Sequence, residues 1–114
     1  MILATAIRQA HCNGKGFLHG GIVSALADNA MGLSLIETLR REGVERGRGG
    51  TTVNLAVDFL ASAQIGQWLE ILPRVLTIGR TIAFTDCLVR ADGKLTARAN
   101  ATFRFYRAAP AADD

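Results

Sequence analysis

Apolar positions follow two rhythms along the chain. Over residues 20–41 they occupy almost every face of a 3.6-residue helix, with IVSALADNAMGLSLI at its heart. This pattern predicts one long helix whose first half is buried. At 1.5 Å per residue such a helix spans roughly 33 Å. Arg40 and Arg41 in its last turn and Gly43 beyond it are ordinary stop signals. Elsewhere the period is two, which predicts strands. Residues 2–10 form the first, with Ile2, Ala4, Ala6 and Arg8 on one face. Residues 51–60 form the second, with Val53, Leu55, Val57 and Phe59 on one side and Thr52, Asn54, Ala56 and Asp58 on the other. Residues 68–78 and 81–90 follow, and Pro73 marks a bulge or an unpaired edge position. Asp92-Gly93 is a two-residue hairpin signal leading into the last strand, 95–106. On that strand Leu95, Ala97, Ala99, Ala101, Phe103 and Phe105 face in, and Thr96, Arg98, Asn100, Thr102, Arg104 and Tyr106 face out.

Turns and loops fill the gaps. Residues 13–16 and 62–66 read as turns, 45–50 as a charged, glycine-rich loop, and 108–114 as a frayed tail. The sum is a strand, a long helix, then four antiparallel strands in a meander. That is one α+β domain over residues 1–114, a curved sheet around a helix. Hydrophobic residues make up 49% of the chain. This is high for so short a domain, so part of the apolar surface is expected to close against another subunit.

Charge and cysteine usage narrow the chemistry by exclusion. The net charge of +3 comes from scattered basic residues without aromatic interleaving, which argues against nucleic acid and suits a polyanionic small ligand. Cys12 and Cys87 lie far apart and show no metal-ligand spacing, as in a reducing, cytoplasmic setting. No metal or redox cofactor is expected. The first residues lack a basic leader, and no stretch reaches the roughly 20 consecutive apolar residues of a membrane span.

Chemistry-bearing residues concentrate at the start of the helix. Asn13 opens the glycine-studded turn, His19 precedes Gly20-Gly21, and Asp28 sits within the apolar helical run. Unpaired N–H groups at a helix N-terminus favour developing negative charge. A carboxylate among apolar neighbours is a candidate for proton transfer. Taken singly, each has a plainer reading. Asn13 and the glycines would be turn residues, His19 a helix cap, Asp28 a solvated residue or an arginine's partner, Thr52 a strand threonine and Arg80 a hairpin arginine. A thiol nucleophile built from Cys12 with a nearby histidine lacks a basic pocket and a third orienting group.

Together these residues form a recognisable pattern. Asn13, His19-Gly20-Gly21, Asp28 nine residues after the histidine, Thr52 on the next strand and Gly79-Arg80-Thr81 before another strand resemble the hotdog-fold acyl-CoA thioesterases of the phenylacetate-degradation (PaaI-like) type. The match covers nearly the whole chain. It implies a hotdog fold and hydrolysis of an acyl- or aryl-CoA to a free acid and coenzyme A. By resemblance, the Gly20 N–H polarises the thioester carbonyl and Asn13 and His19 help position it. Asp28 would act as nucleophile or general base, Thr52 would orient water, and Gly79, Arg80 and Thr81 would lie near the coenzyme A phosphates. Coenzyme A enters as part of the substrate, so no separate cofactor is implied. Family members usually carry a further N-terminal helix and strand, so this chain is either a short member or begins internally.

Helical geometry adds a constraint. His19 and Asp28, nine residues apart, point to roughly opposite sides of a helix and lie about 13 Å apart along its axis. If both act on one thioester, they come from different subunits, in a homodimer with composite sites or a dimer of dimers. Two rival readings remain: a hotdog dehydratase or hydratase acting on acyl carriers, and a non-catalytic acyl-CoA-binding module.

Overall fold

The computed structural model describes residues 1–44 and 46–107, with backbone alone for 46–49 and 107. The expected tail 108–114 lies outside the described residues. The elements run β1 (Leu3–Ala6), a 3-10 turn (Gln9–His11), α1 (Gly20–Arg41), β2 (Arg46–Phe59), β3 (Trp68–Ile78), β4 (Ile82–Ala91) and β5 (Lys94–Arg107). All strand pairs are antiparallel and form one five-stranded sheet in the order β1-β3-β4-β5-β2. One long helix on an antiparallel sheet is the expected α+β layout.

The connectivity departs from a four-strand meander. Only β3, β4 and β5 follow one another. β2 crosses to the far edge and pairs with β5, from Arg46↔Arg107 to Phe59↔Ala97. The expected loop at 45–50 is therefore mostly strand, because β5 is long enough to offer partners for residues 46–50. Glu45 itself is outside the described residues. β1 is shorter than expected. Ile7 is buried and exchanges backbone hydrogen bonds with Gln67 and Gly66, which ends the strand and starts the turn. Pairing of β1 with β3 stops at Leu3↔Ile71. Pro73 thus bonds to β4 alone, in the edge position its missing N–H demands.

The core lies between one face of α1 and the sheet. The helix buries Val23, Ala27, Ala30, Met31, Leu35 and Leu39. The sheet answers with Leu69, Ile71, Ala83, Val89, Ala97, Ala99, Ala101, Phe103 and Phe105. Alanines of α1 and β5 share this core with Met31, Phe103 and Phe105. The expectation of a helix buried on almost every face fails, since a sheet covers one side only. Leu33 is 38% exposed. α1 also has the length and apolar composition of a membrane span, against the sequence expectation, yet its apolar stripe packs on the sheet.

Two strand details correct the alternation. Asp92 and Gly93 both take positive φ, 48° and 81°, as a type I′ hairpin turn requires. A register shift at Val89/Arg90 then rotates β5 by one residue at its start. Thr96 faces in, buried, its hydroxyl donating to the Val89 carbonyl, and Leu95 is left 38% exposed. On β2, Val53 and Phe59 are exposed rather than buried, because β2 is the sheet's edge.

Burial pushes the Cys87 thiol up to about 11, with the Asp86 carboxylate adding to the effect and a hydrogen bond to Ala99 opposing it. The folded state then keeps a proton that the unfolded chain loses above about 9. Stability from this group is complete below that pH and declines as pH rises toward 11. Urea unfolding from pH 8 to 11 should show this decline, and Cys87→Ala should remove that part of the slope.

Candidate active site

The site is built where α1 meets the edge strand. Asn13 shapes the approach: its Oδ1 accepts hydrogen bonds from the N–H groups of Lys15 (2.9 Å) and Phe17 (3.1 Å). Its carbonyl oxygen is thus committed to the turn, the plainer of its two sequence readings. His19 is the N-cap, in extended conformation (φ −63°, ψ 133°), and its side chain makes no capping hydrogen bond. Its N–H donates to the His11 carbonyl, which fixes the entry of the chain into the helix. The helix then opens with Gly20 and Gly21, whose first-turn N–H groups have no intrahelical acceptor.

Gly20 rests against β2. A Cβ there would lie 3.1 Å from Cζ of Phe59, so the aromatic ring occupies the space a side chain would take. A cleft of about 420 Å³ opens beside Gly20, walled by Leu18, Val23, Phe59, Leu60 and Ala97, with Ser62 at its border. The sequence places Phe59 on one side of β2 with Val53, Leu55 and Val57, and no local pattern records its contact with Gly20.

Two turns further along α1, Asp28 reaches the same strand. The Thr52 hydroxyl donates to Asp28 Oδ1 at 2.7 Å. The structure therefore joins two residues that the sequence placed 24 positions apart. Asp28 is half-buried rather than enclosed in the core, because β2 is the last strand on this side. Gly20 and Asp28 both face β2. They lie eight residues apart on α1, roughly 12 Å along its axis. His19 itself caps the helix rather than belonging to it.

Gly79, Arg80 and Thr81 occupy the β3–β4 turn. The Gly79 N–H donates to the Ile82 carbonyl at 2.7 Å, and the Thr81 carbonyl accepts from Phe105. A Cβ at position 79 would sit 3.1 Å from the Ile82 oxygen, so the turn needs a residue with no side chain. Among the described residues no group of three His, Cys, Asp or Glu side chains could hold a metal ion.

A helix N-terminus that leaves amides free and a carboxylate–hydroxyl pair on the same edge strand meet a family pattern. Residues 15–98 match the model of the thioesterase superfamily. This chain belongs to that superfamily. It is 38% identical over 108 residues to a putative esterase of Caenorhabditis elegans, covering 92% of this chain and 60% of that protein. It is 34% identical over 104 residues to human acyl-coenzyme A thioesterase 13, covering 90% of this chain and 70% of the relative. Among solved structures, a Streptococcus mutans protein bound to acetyl CoA aligns with TM-score 0.81 and 27% identity, over 96% of this chain and 82% of its own. A mutant of the phenylacetic acid degradation protein PaaI from Thermus thermophilus aligns with TM-score 0.74 and 25% identity, over 92% and 83%. The superfamily's hotdog fold is thus the fold of this chain, and the resemblance read from Asn13, His19-Gly20-Gly21 and Asp28 led to the right family.

The Asp28–Thr52 hydrogen bond has a measurable worth. A cycle of Asp28→Asn, Thr52→Val and the double variant, followed by urea unfolding, should give a coupling of about 1 kcal/mol, as for a partly solvated bond to a charged group. Strict additivity would mean that the bond does not form in solution.

Proposed function

We propose that this superfamily member is an acyl-CoA thioesterase, hydrolysing an acyl- or aryl-CoA thioester to a carboxylic acid and coenzyme A. The observation that carries the reading is the Asp28 carboxylate held by Thr52 on the same helix whose first turn presents the Gly20 N–H. The name of the human relative and the acetyl CoA held by the Streptococcus mutans structure support the substrate class.

The chemistry follows from the groups. The thioester carbonyl oxygen accepts from the Gly20 N–H, where helix-terminal charge favours the negative oxygen that develops; such a donor contributes about 3 kcal/mol in acyl transfer. His19 and Asn13 shape the rim that positions it. Thr52 occupies Asp28 Oδ1 and leaves Oδ2 to take a proton from water. The water oxygen bonds to the carbonyl carbon, the C–S bond breaks, and the proton passes to the departing thiolate of coenzyme A. Direct attack by the same carboxylate oxygen is the second reading; it forms an anhydride that water then opens. The turn at Gly79, Arg80 and Thr81 is assigned to the coenzyme A phosphates by family resemblance. No further cofactor is needed, since the thioester carries its own leaving group. The free state of Cys12 and Cys87 supports work in a reducing, cytoplasmic compartment.

A dimer completes the site in this reading. β2 is a 14-residue edge with Val53, Leu55 and Phe59 exposed, a row of unpaired backbone groups that invites another strand. Two copies of β2 paired antiparallel about a two-fold axis bring the Thr52 end of one beside the Phe59 end of the other. Asp28 of one subunit then meets Gly20 of its partner, which removes the roughly 12 Å gap within one chain.

Thiol release from a panel of acyl- and aryl-CoA thioesters tests the activity. Asp28→Asn should lower kcat by about 10²–10⁴; equal activity would take Asp28 out of the mechanism. Gly20→Pro removes the amide hydrogen at a position where the helix tolerates proline; it is made together with Phe59→Ala, because the Phe59 ring fills the space a side chain at position 20 would take. Each variant alone should be nearly inactive. Subunits of the two, unfolded and reassembled together, should recover roughly one quarter of wild-type activity, as random pairing into an isologous dimer requires. No recovery would place each site within one chain.

A further inference from the structure

The first turn of α1 is built from residues that hold a helix badly. Gly20 and Gly21 open it, and glycine is the weakest helix former after proline. The N-cap, His19, adds no side-chain hydrogen bond to secure it. Two sets of bonds hold the backbone on either side of Gly20. Before it, the His19 carbonyl accepts from the N–H groups of Ile22 and Val23, at 3.1 and 3.2 Å. After it, the Gly20 carbonyl accepts the hydroxyl of Ser24 at 2.9 Å. Ser24 is half-buried. It stands one turn beyond Gly20 and one turn before Asp28, on the helix face that those two residues share.

We propose that Ser24 is a positioning residue for thioester hydrolysis: its hydroxyl, bound to the Gly20 carbonyl, holds the two-glycine turn so that the Gly20 N–H stays aimed at the oxygen on which negative charge develops. The proposal rests on the hydrolase reading above, in which that amide polarises the thioester carbonyl. The His19 carbonyl fixes the peptide plane before Gly20, and the Ser24 hydroxyl fixes the plane after it. Both backbone torsions of a residue that is otherwise free are then set. A donor fixed in advance needs no rearrangement as charge appears, so a turn that moves forfeits part of its value. Helix stability gives no reason for a serine here. Alanine is the better helix former, and a hydroxyl turned back on the i−4 carbonyl slightly weakens the helix. α1 carries its own control. Near its far end the Thr38 hydroxyl makes the same kind of bond, to the Ser34 carbonyl at 2.8 Å, away from Gly20 and Asp28.

The test measures kcat and KM for the thioester that the wild-type protein cleaves fastest, with urea unfolding beside it. Ser24→Ala should lower kcat about tenfold, a part of what a whole oxyanion donor supplies, and leave KM nearly unchanged. Its urea midpoint should equal or exceed that of wild type, because alanine is the better helix former. Ser24→Thr keeps a hydroxyl that reaches the same carbonyl and should restore most of kcat. Thr38→Ala should leave kcat as it is. Amide order parameters from nitrogen relaxation read the turn without catalysis. Those of Gly20 and Gly21 should fall in Ser24→Ala from about 0.85, the value of rigid backbone, and hold in Thr38→Ala. A wild-type kcat in Ser24→Ala overturns the proposal and leaves the hydrolase reading standing, as does an equal loss in Thr38→Ala. A loss of kcat matched by a lower urea midpoint, or without any change in the order parameters, overturns it too. If the wild-type protein cleaves no thioester, the hydrolase reading falls and this role falls with it. Should Ser24→Thr not fold, Ser24→Ala and Thr38→Ala decide by the same readouts.

Discussion

α1 touches the edge strand β2 at two places, and the rest of the site depends on the distance between them. At one, Gly20 lies under the Phe59 ring. At the other, Asp28 accepts the Thr52 hydroxyl. The two contacts lie eight residues apart on α1, roughly 12 Å along its axis. In the proposed reaction the carbonyl-polarising amide and the carboxylate of one chain therefore do not serve the same bond, and the proposed antiparallel pairing of β2 with a copy answers this by reversing the order of the strand's two ends.

Those contacts sit at the margin of a core rich in small residues. Ala27 and Ala30 of α1 and Ala97, Ala99 and Ala101 of β5 belong to one buried cluster, and the short side chains of Asp28 and Thr52 meet beside it. Asp28 lies near the margin of the sheet, half-buried.

Local signals carried the sequence reading, and non-local ones limited it. The bounds of α1, the Asp92-Gly93 turn and the edge role of Pro73 depend on neighbouring residues, and all were legible. The pairing of β2 with β5 was not, because nothing near Thr51 records which distant strand will accept it. Residues 46–50 read as a loop for the same reason: glycine and arginine show no alternation, and only the length of β5 makes them a strand. The inward turn of Thr96 and outward turn of Leu95 follow from a bulge that leaves no mark in a hydrophobicity pattern. Of the candidate residues, Asn13, His19, Gly20, Asp28 and Thr52 were recognisable as a motif. Their geometry was not: the turn-holding role of Asn13 Oδ1 and the shared orientation of Gly20 and Asp28 toward β2 emerge only in three dimensions.

The glycines near this edge differ in what space demands of them. At position 20 the missing side chain admits the Phe59 ring, 3.1 Å from where a Cβ would sit, and leaves the first-turn amide approachable. At positions 32 and 50 a Cβ would make only ordinary contacts, 3.6 Å from Phe103 Cε1 and from the Arg104 carbonyl oxygen. An interior glycine in a helix costs about 1 kcal/mol relative to alanine, and nothing in the packing of Gly32 demands that cost. Of the three, Gly20 alone is fixed by the packing of α1 on β2, and it is the one that sits at the helix N-terminus.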